Sequence, residues 1–293
     1  MRIELNTLNP AERQYFLQNV VAPRPICFAS TIDKKGQVNL SPFSFFNVFS
    51  SNPPIVIFSP ARRVRDNSIK HTLENVMEVP EVVINMVTYD MVQQQSLASC
   101  EFAKEVNEFQ KAGFTEEPAT LVRPPMVKES KVKMECRVQE IKSLGDQGGA
   151  GNLVICEVLC LHIDDALLDA QQKIDPRQLP LVARLGGDWY SVVNEQSLFQ
   201  VPKPNTQLGM GIDALPASIR SSKILSGNNL GQLANCTAIP VVDPSFQDDH
   251  LKQIIQYFSV NPEEMEKELH TYAQQLLEKG DTSAAWQVLL ASA

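Results

Sequence analysis

Residues Arg24–Asn47 read RPICFASTIDKKGQVNLSPFSFFN, and this stretch decides how the rest of the chain is interpreted. The apolar and β-branched residues at 26–31 and 38–40 are typical of two short strands. Between them, Asp33-Lys-Lys-Gly36 is typical of a tight turn, because glycine accepts the positive φ that such turns need. The stretch therefore predicts an antiparallel hairpin. We expect 41–47 to leave the ladder, because Pro42 has no N–H to donate.

Small polar side chains lie near the ends of the two predicted strands, at Ser30, Thr31, Asn39, Ser41 and Ser44. A flat polar ring needs such donors and acceptors along its edge and an apolar contact on its face, which Phe43, Phe45 or Phe46 would supply. Alternatively, the hydroxyls satisfy turns and the phenylalanines belong to the core. Composition alone favours this second interpretation.

A second polar stretch, Ser59–Thr72, reads SPARRVRDNSIKHT and follows another predicted strand at 55–59. Its cations, Arg62, Arg63, Arg65 and Lys70, lie close to the start of a helix predicted at 69–76. The N–H groups of a helix N-terminus and nearby cations both favour an anion, and a phosphate is the natural occupant. The alternative is a solvated loop. The two stretches together favour a ring joined to a phosphate more than either does alone.

The remaining chain to about residue 200 alternates short strands with Gly- and Pro-rich turns and a few helices. Further strands are predicted at 82–87, 131–141 and 153–163, and a longer helix at 90–104. This order predicts a mainly β protein with helical insertions, arranged as an antiparallel barrel. Neither GxGxxG after a strand nor GxxxxGK[ST] occurs, which argues against dinucleotide and P-loop sites.

The C-terminal part differs in composition and charge. We divide the chain into a barrel at 1–200, an irregular extension at 201–244 packed on the barrel, and an acidic helical tail at 245–293. Residues 241–293 hold nine acidic and three basic side chains, while the whole chain has a net charge of −8. The acidity argues against nucleic acid as a partner. The absence of a long apolar run argues against a membrane span.

The six cysteines form no CxxC pair and the four histidines are far apart, so no metal site is expected. Buried, reduced thiols are typical of a cytoplasmic protein, and we predict that location.

The ordered motifs resemble those of the flavin reductase-like, FMN-binding split-barrel family, which includes flavoredoxins and NAD(P)H:flavin oxidoreductases. The resemblance starts with the Arg24–Asn47 stretch, continues with Lys70-His-Thr-Leu-Glu-Asn-Val76 and Phe109-Gln-Lys-Ala-Gly-Phe-Thr115, and spans roughly Val20–Val193. It implies a six-stranded antiparallel Greek-key split barrel, a homodimer, FMN as cofactor and NADH or NADPH as electron donor. The C-terminal helical extension predicted above is not part of the family's core pattern. His71 departs from the family, which often has Asp there.

The resemblance also implies the residues that would hold the flavin: Ser30, Thr31, Asn39, Leu40, Ser41, Ser44 and Phe45 around the ring and ribityl chain, and Ser59, Arg62, Lys70 and Thr72 around the phosphate. It leaves open which of Arg62, Arg63 and Arg65 faces the phosphate. His162 matches a family histidine near the reactive face of the flavin, and is the one catalytic candidate. A histidine satisfied in the core is the alternative for that position.

We predict an FMN-dependent oxidoreductase that passes electrons from NAD(P)H to a flavin or another small acceptor. One alternative is an FMN-binding electron carrier without NAD(P)H activity of its own. Another is a scaffold that binds no flavin and recruits a partner through its acidic tail. A pyridoxamine-phosphate-oxidase-like role is a further alternative, but the NLSPFSFF run at 39–46 favours the flavin reductase branch.

Overall fold

The computed structural model describes residues 1–202 and 208–291. The chain divides into two compact units, Met1–Phe199 and Gln200–Ala293. The first unit holds the strands β1 (Arg24–Pro25), β2 (Cys27–Ile32), β3 (Val38–Phe43), β4 (Phe46–Ser51), β5 (Pro54–Phe58), β6 (Glu81–Met86), β7 (Glu116–Glu117), β8 (Met126–Val127), β9 (Val132–Ser143), β10 (Asn152–Ile163), β11 (Val182–Arg184) and β12 (Tyr190–Val192).

The first unit also holds four α-helices among its described residues: α1 (Pro10–Val20), α2 (His71–Glu78), α3 (Val92–Leu97) and α4 (Glu108–Ala112). The second unit holds α5 (Ala217–Arg220), α6 (Gly227–Leu233), α7 (Asp249–Tyr257), α8 (Pro262–Glu278) and α9 (Thr282–Leu290). Short 3₁₀ helices occur at Leu5–Thr7, Tyr89–Met91, Asp165–Leu167, Pro176–Gln178, Glu195–Ser197 and Ile212–Ala214. Among the described helices, none is long and apolar enough to cross a membrane.

The main sheet of the first unit has the strand order β3-β2-β6-β9-β10-β5-β4, and every pairing in it is antiparallel. Its inner face buries an apolar cluster around Phe43, Phe58 and Ile84. This confirms the prediction of a mainly β barrel with helical insertions. Within the described residues the sheet has seven strands rather than six, because Phe46–Ser51 pairs with β5 as a strand of its own.

The hairpin of β2 and β3 follows the predicted turn, with Gly36 at a φ of 88°. The expectation that 41–47 leaves the ladder is wrong for its first part, since Pro42 pairs with Phe28 in register. The physical reason is the position of β3 at an edge of the sheet, where a residue without an N–H is tolerated.

The strand predicted at 131–141 is confirmed as β9, on which Val132, Met134, Cys136 and Val138 are all buried. Glu135, on the opposite face of the same strand, is also fully buried. The predicted helix at 90–104 is shorter in the structure and ends at Leu97. Cys27, Cys136 and Cys156 are buried, and burial raises the pKa of the Cys136 thiol to about 12, whereas Cys100 is exposed.

The second unit has its own apolar core, in which Leu233, Leu269 and Trp286 are buried. Asp248, Asn261 and Asp281 cap α7, α8 and α9 through their side chains. We predicted 201–244 as an irregular extension and 245–293 as a separate helical tail. In the described residues, both segments contribute side chains to this one core.

Candidate functional site

A groove with a volume of about 740 Å³ runs along the first unit. It is lined by α1 and Phe45, by the loop after β5 and by the glycine-rich turn at 145–150. Phe45 is 41% exposed and offers an apolar surface. Ligand pockets in proteins typically have volumes of roughly 300–1,000 Å³, so this groove can hold a cofactor of moderate size.

The turn at 145–150 lies tightly against the loop after β5. A Cβ added at Gly148 would come within 2.9 Å of the Val64 carbonyl oxygen, so a side chain there would force the two segments apart. The Arg62 N–H donates to the Ala150 carbonyl at 2.8 Å and the Gly149 N–H donates to the Arg62 carbonyl at 3.0 Å. The backbone therefore fixes this wall of the groove.

Arg62 stabilises its own loop. Its Nε donates to Asn67 Oδ1 at 2.7 Å and its Nη2 donates to the Asn67 carbonyl at 2.9 Å. Asn67 has a φ of 59°, a left-handed conformation that asparagine adopts more easily than most residues. The guanidinium thus holds the turn that carries Arg63 and Arg65, although Arg62 also lines the groove.

Arg63, Arg65 and Lys70 converge on one carboxylate, that of Glu101. Arg63 Nε lies 2.9 Å from Glu101 Oε1, Lys70 Nζ lies 4.0 Å from the same oxygen, and Arg65 donates to the other oxygen. Burial, followed by the charge of Arg63, lowers the pKa of the Lys70 ammonium. Three cations around one carboxylate leave a net positive charge, and such a cluster attracts a further anion.

A small polar recess continues from this cluster towards the start of α2. It is lined by Ser41, Arg63, Lys70, His71 and Thr72 among others, and Arg63, Lys70 and Glu101 line both the recess and the groove. Lys70 is the N-cap residue of α2 and makes no side-chain cap, so the helix N-terminus has no capping side chain of its own. The predicted phosphate residues Lys70 and Thr72 therefore come together here with Ser41.

Asn39 and Leu40 belong to a buried network rather than to the groove wall. The carboxylate of Glu108 accepts from Asn39 Nδ2 at 2.9 Å and from the Leu40 N–H at 3.0 Å. Thr72 Oγ1 donates to Asn39 Oδ1 at 2.6 Å. Burial raises the pKa of Glu108, against the opposing effect of these hydrogen bonds. Glu108 was not singled out in the sequence, because its partners lie almost 70 residues earlier.

The other predicted ring residues are distributed differently. Ser30 and Thr31 are fully buried; Thr31 Oγ1 accepts from Asn75 Nδ2 at 3.2 Å, whereas Ser30 Oγ has no hydrogen-bond partner among the described residues. Ser44 Oγ lies 3.5 Å from Arg24 Nε. Ser59 is buried beside Gly151, and its N–H donates to the Phe45 carbonyl at 2.8 Å. The Ser30 hydroxyl lines neither the groove nor the recess.

His162 lies in a different depression, of about 200 Å³, which is lined by none of the predicted flavin residues. Its Nε2 is 2.6 Å from Glu135 Oε1. The same carboxylate also accepts from the Thr120 N–H and O–H and from the N–H groups of Leu121 and Val122. Burial alone would raise the pKa of Glu135, but these hydrogen bonds together lower it to about 2.

We expected no metal site, yet the fold brings the ligand atoms of Glu135, Cys160 and His162 within 4.8 Å of one another. Histidine and cysteine can bind metals. The Glu135 oxygens, however, already accept five hydrogen bonds. This carboxylate therefore anchors the 120–122 segment and orients His162.

The residues around the groove and the recess fit a ring joined to a phosphate. The cations and the uncapped start of α2 suit the phosphate, and Phe45 together with Leu17 offers apolar contact for a ring. The tightly packed glycine-rich turn would let backbone approach the ligand closely.

Comparison with known proteins finds a matching family model and several similar proteins. The family model of the flavin reductase-like domain matches residues 21–181, which is more than half of the chain. An uncharacterised protein from Aquifex aeolicus is 37% identical over 171 residues, covering 58% of this chain and 85% of that protein. A second, from Halalkalibacterium halodurans, is 33% identical over 206 residues, covering 70% and 97%.

Solved structures agree with the fold. Nitrilotriacetate monooxygenase component B from Bacillus cereus is 26% identical, with a TM-score of 0.64, and the match covers 69% of this chain and 98% of that one. A candidate flavin reductase with a split barrel domain from Shewanella frigidimarina is also 26% identical, with a TM-score of 0.58 and coverages of 69% and 99%. Flavoredoxin of Desulfovibrio vulgaris shares the fold at 18% identity, with a TM-score of 0.52 and coverages of 62% and 91%. These matches confirm the prediction of a split barrel.

Proposed function

This chain belongs to the flavin reductase-like family of split-barrel proteins, and on that basis we propose that it is an oxidoreductase that binds FMN in the groove beside Phe45 and accepts electrons from NADH or NADPH. The acceptor in this proposal is a free flavin or another small molecule. The proposal assigns the phosphate of FMN to the recess at Lys70 and the isoalloxazine ring to the groove.

The observation that carries the proposal is the convergence of Arg63 and Lys70 at the point where groove and recess meet. Both side chains are partly buried, so their attraction for a phosphate is screened less by water than that of fully exposed cations. Arg63 can donate from a planar guanidinium, and Lys70 adds a compact charge at the start of α2.

When bound, FMN would supply the hydride and electron chemistry, which no side chain of the chain can supply by itself. The residues of the chain would bind and orient it. Arg63 and Lys70 would neutralise the phosphate, Phe45 and Leu17 would shield one face of the ring from water, and the turn at 145–150 would limit its position. No side chain in the groove is needed as an acid or base for hydride transfer to a flavin.

His162 remains a prediction as the catalytic residue. Its separate depression and its hydrogen bond to the buried Glu135 carboxylate support a structural role instead. Homodimer formation is also part of the proposal. It is supported by the edge strand β4, on which Val48 and Phe49 are exposed apolar side chains, since an exposed apolar edge favours association with another chain. The cytoplasmic location stays a prediction.

The first experiment is an absorbance spectrum of the purified protein before and after addition of FMN. We expect the spectrum of bound oxidised flavin and the release of FMN on denaturation. In the double variant Arg63→Ala and Lys70→Ala, the affinity for FMN should fall by about 100-fold or more, because each hydrogen bond to a charged group contributes roughly 1.5–3 kcal/mol.

The matched control is the double variant Lys34→Ala and Lys111→Ala, which removes the same charge from exposed positions outside the groove. It should bind FMN like the parent protein. Equal losses in both double variants would mean that only the net charge matters, and unchanged affinity in the Arg63/Lys70 variant would reject the phosphate assignment. Bleaching of the FMN-loaded protein by NADH or NADPH without oxygen separates a reductase from an electron carrier that has no nicotinamide activity.

A further inference from the structure

A second cavity, of about 600 Å³, lies in the first unit between α3 and the hairpin of β11 and β12. It shares no lining residue with the groove beside Phe45. Ser99 lines both this cavity and the polar recess at Lys70, so the cavity borders the proposed phosphate position. Neither the family resemblance nor the proposed function assigns it a role.

Arg184 is the only cation that lines the cavity among the described residues. Its guanidinium carbon lies 4.6 Å from the centre of the Tyr190 ring, which holds the planar group in place by a cation–π contact. Within residues 1–202 and 208–291 no carboxylate is within ion-pair distance of Arg184, although Asp188 also lines the cavity. A half-buried guanidinium without a counter-ion is a site for an anion.

Arg24 adds positive charge nearby but cannot take the anion itself. Its guanidinium donates to the carbonyls of Gln18, Val21 and Leu185. Burial and the charge of Arg184 lower the pKa of Arg24, which shows that the two cations repel each other. An anion bound at Arg184 would relieve this repulsion.

The other walls of the cavity suit a flat ring. Tyr190 and the 66% exposed Tyr89 both line the cavity. Val92, Val182 and Val192 line it too and provide apolar contact. Aromatic side chains stack on planar rings, and the single guanidinium matches the two oxygens of one carboxylate. A pyrophosphate would bring more charge than one arginine can balance.

We propose that this cavity binds a small planar aromatic carboxylate, whose carboxylate pairs with Arg184 and whose ring contacts Tyr190 and Tyr89. The binding site itself goes beyond the proposed function and does not depend on it. Only the role of the ligand as a substrate, which its position beside the recess at Lys70 suggests, rests on the proposed function.

The test is isothermal titration calorimetry of the full-length protein with benzoate and two control compounds. Benzamide has the same shape as benzoate but no charge. Cyclohexanecarboxylate has the charge but no flat ring. We expect benzoate to bind saturably. The affinity for each of the other two compounds should be at least about tenfold lower. Trp189 is 76% exposed and is flanked in sequence by the lining residues Asp188 and Tyr190, so its fluorescence gives a second readout of binding.

The variant Arg184→Met should lose at least about tenfold in affinity for benzoate, while Arg137→Met, at an exposed position on β9, should not. Circular dichroism shows whether each variant is folded, and Tyr190→Leu tests the ring contact should Arg184→Met unfold. Equal affinities for benzoate and benzamide, or no loss in Arg184→Met, would overturn the proposal.

Two further experiments test whether this cavity is distinct from the proposed flavin site. The double variant Arg63→Ala and Lys70→Ala should keep its affinity for benzoate whether or not it still binds FMN. Inorganic phosphate should compete poorly with benzoate; equal competition would mean a general anion site and would overturn the aromatic assignment. One-for-one competition between FMN and benzoate would show that the cavity is part of the flavin site, which also overturns the proposal.

Discussion

Glu101 occupies the centre of the cation cluster that we assign to a phosphate. Its carboxylate pairs with Arg63 and Arg65 and lies 4.0 Å from Lys70. The charge of the cluster is therefore partly neutralised by the protein itself. An incoming phosphate has to compete with this carboxylate for the same donors, and the two anions repel each other.

We predict that Glu101→Gln raises the affinity for FMN by roughly 5- to 30-fold, since a repulsion on the order of 1–2 kcal/mol between two anions at such distances is removed. Fluorescence quenching of FMN on titration measures the change. Glu105→Gln, at an exposed position four residues further on, is the control and should have no effect. A weaker affinity in Glu101→Gln would mean that the carboxylate orders the arginines for the ligand.

The sequence predicts which residue types form the site better than it predicts which way each side chain points. Nothing in the sequence distinguishes Arg62 from Arg63 and Arg65. The turn at Asn67 decides that the Arg62 guanidinium bonds within its own loop. Asn39 and Thr72 were predicted to contact the ligand, but Glu108 draws Asn39 into a buried network. That partner is remote in sequence, so no local pattern could indicate it.

At the scale of elements, β9 and β10 hold the segment at 120–122 through one buried carboxylate. Glu135 on β9 accepts from the backbone of that segment and from His162 on β10. Its pKa of about 2 lies below the ordinary value of 4.5. Because the folded state binds the proton less well, Glu135 stabilises the fold fully above about pH 4.5, and this contribution is lost as the pH falls towards 2.

We predict that Glu135→Gln lowers the free energy of unfolding by roughly 3–5 kcal/mol at pH 7, because it breaks a buried charged network. Between pH 4.5 and 2 the parent should lose stability more steeply than the variant, and urea unfolding across this range measures both effects. The exposed β9 residue Glu140, changed to Gln, serves as the control. Parallel pH profiles of parent and Glu135→Gln would contradict the assigned pKa.

Elements with local signals were predicted well. The turn between β2 and β3 was predicted from Asp33-Lys-Lys-Gly36, because a short sequence window contains the glycine that accepts the positive φ of 88°. The expectation at Pro42 was wrong because the tolerance of proline depends on whether β3 is an edge strand. The strand order that decides this is a property of the complete sheet, which no local pattern contains.

At the scale of the whole molecule, the boundary of the first unit was predicted at residue 200 and falls after Phe199 in the structure. The family match at 21–181 and all residues of the groove lie within this first unit. The second unit has a separate apolar core around Trp286. Two cores of this kind can fold independently of each other.

We predict that a chain ending at Phe199 folds and binds FMN with an affinity within about twofold of the full-length protein, because no groove residue is removed. Thermal unfolding and FMN titration test this. A chain ending at Arg184 is the informative control, since it lacks β12 and should be unstable. Loss of FMN binding in the chain ending at Phe199 would assign the second unit a part in the site.

The bond from Arg24 to the Leu185 carbonyl joins residues that are 161 positions apart. During translation, β1 therefore cannot pair with β11 until nearly all of the first unit has been synthesised. Contacts in the second unit are mostly between neighbouring helices, and such local contacts form quickly. The second unit, which is synthesised last, can thus fold faster than the first unit. The barrel remains incomplete for most of translation.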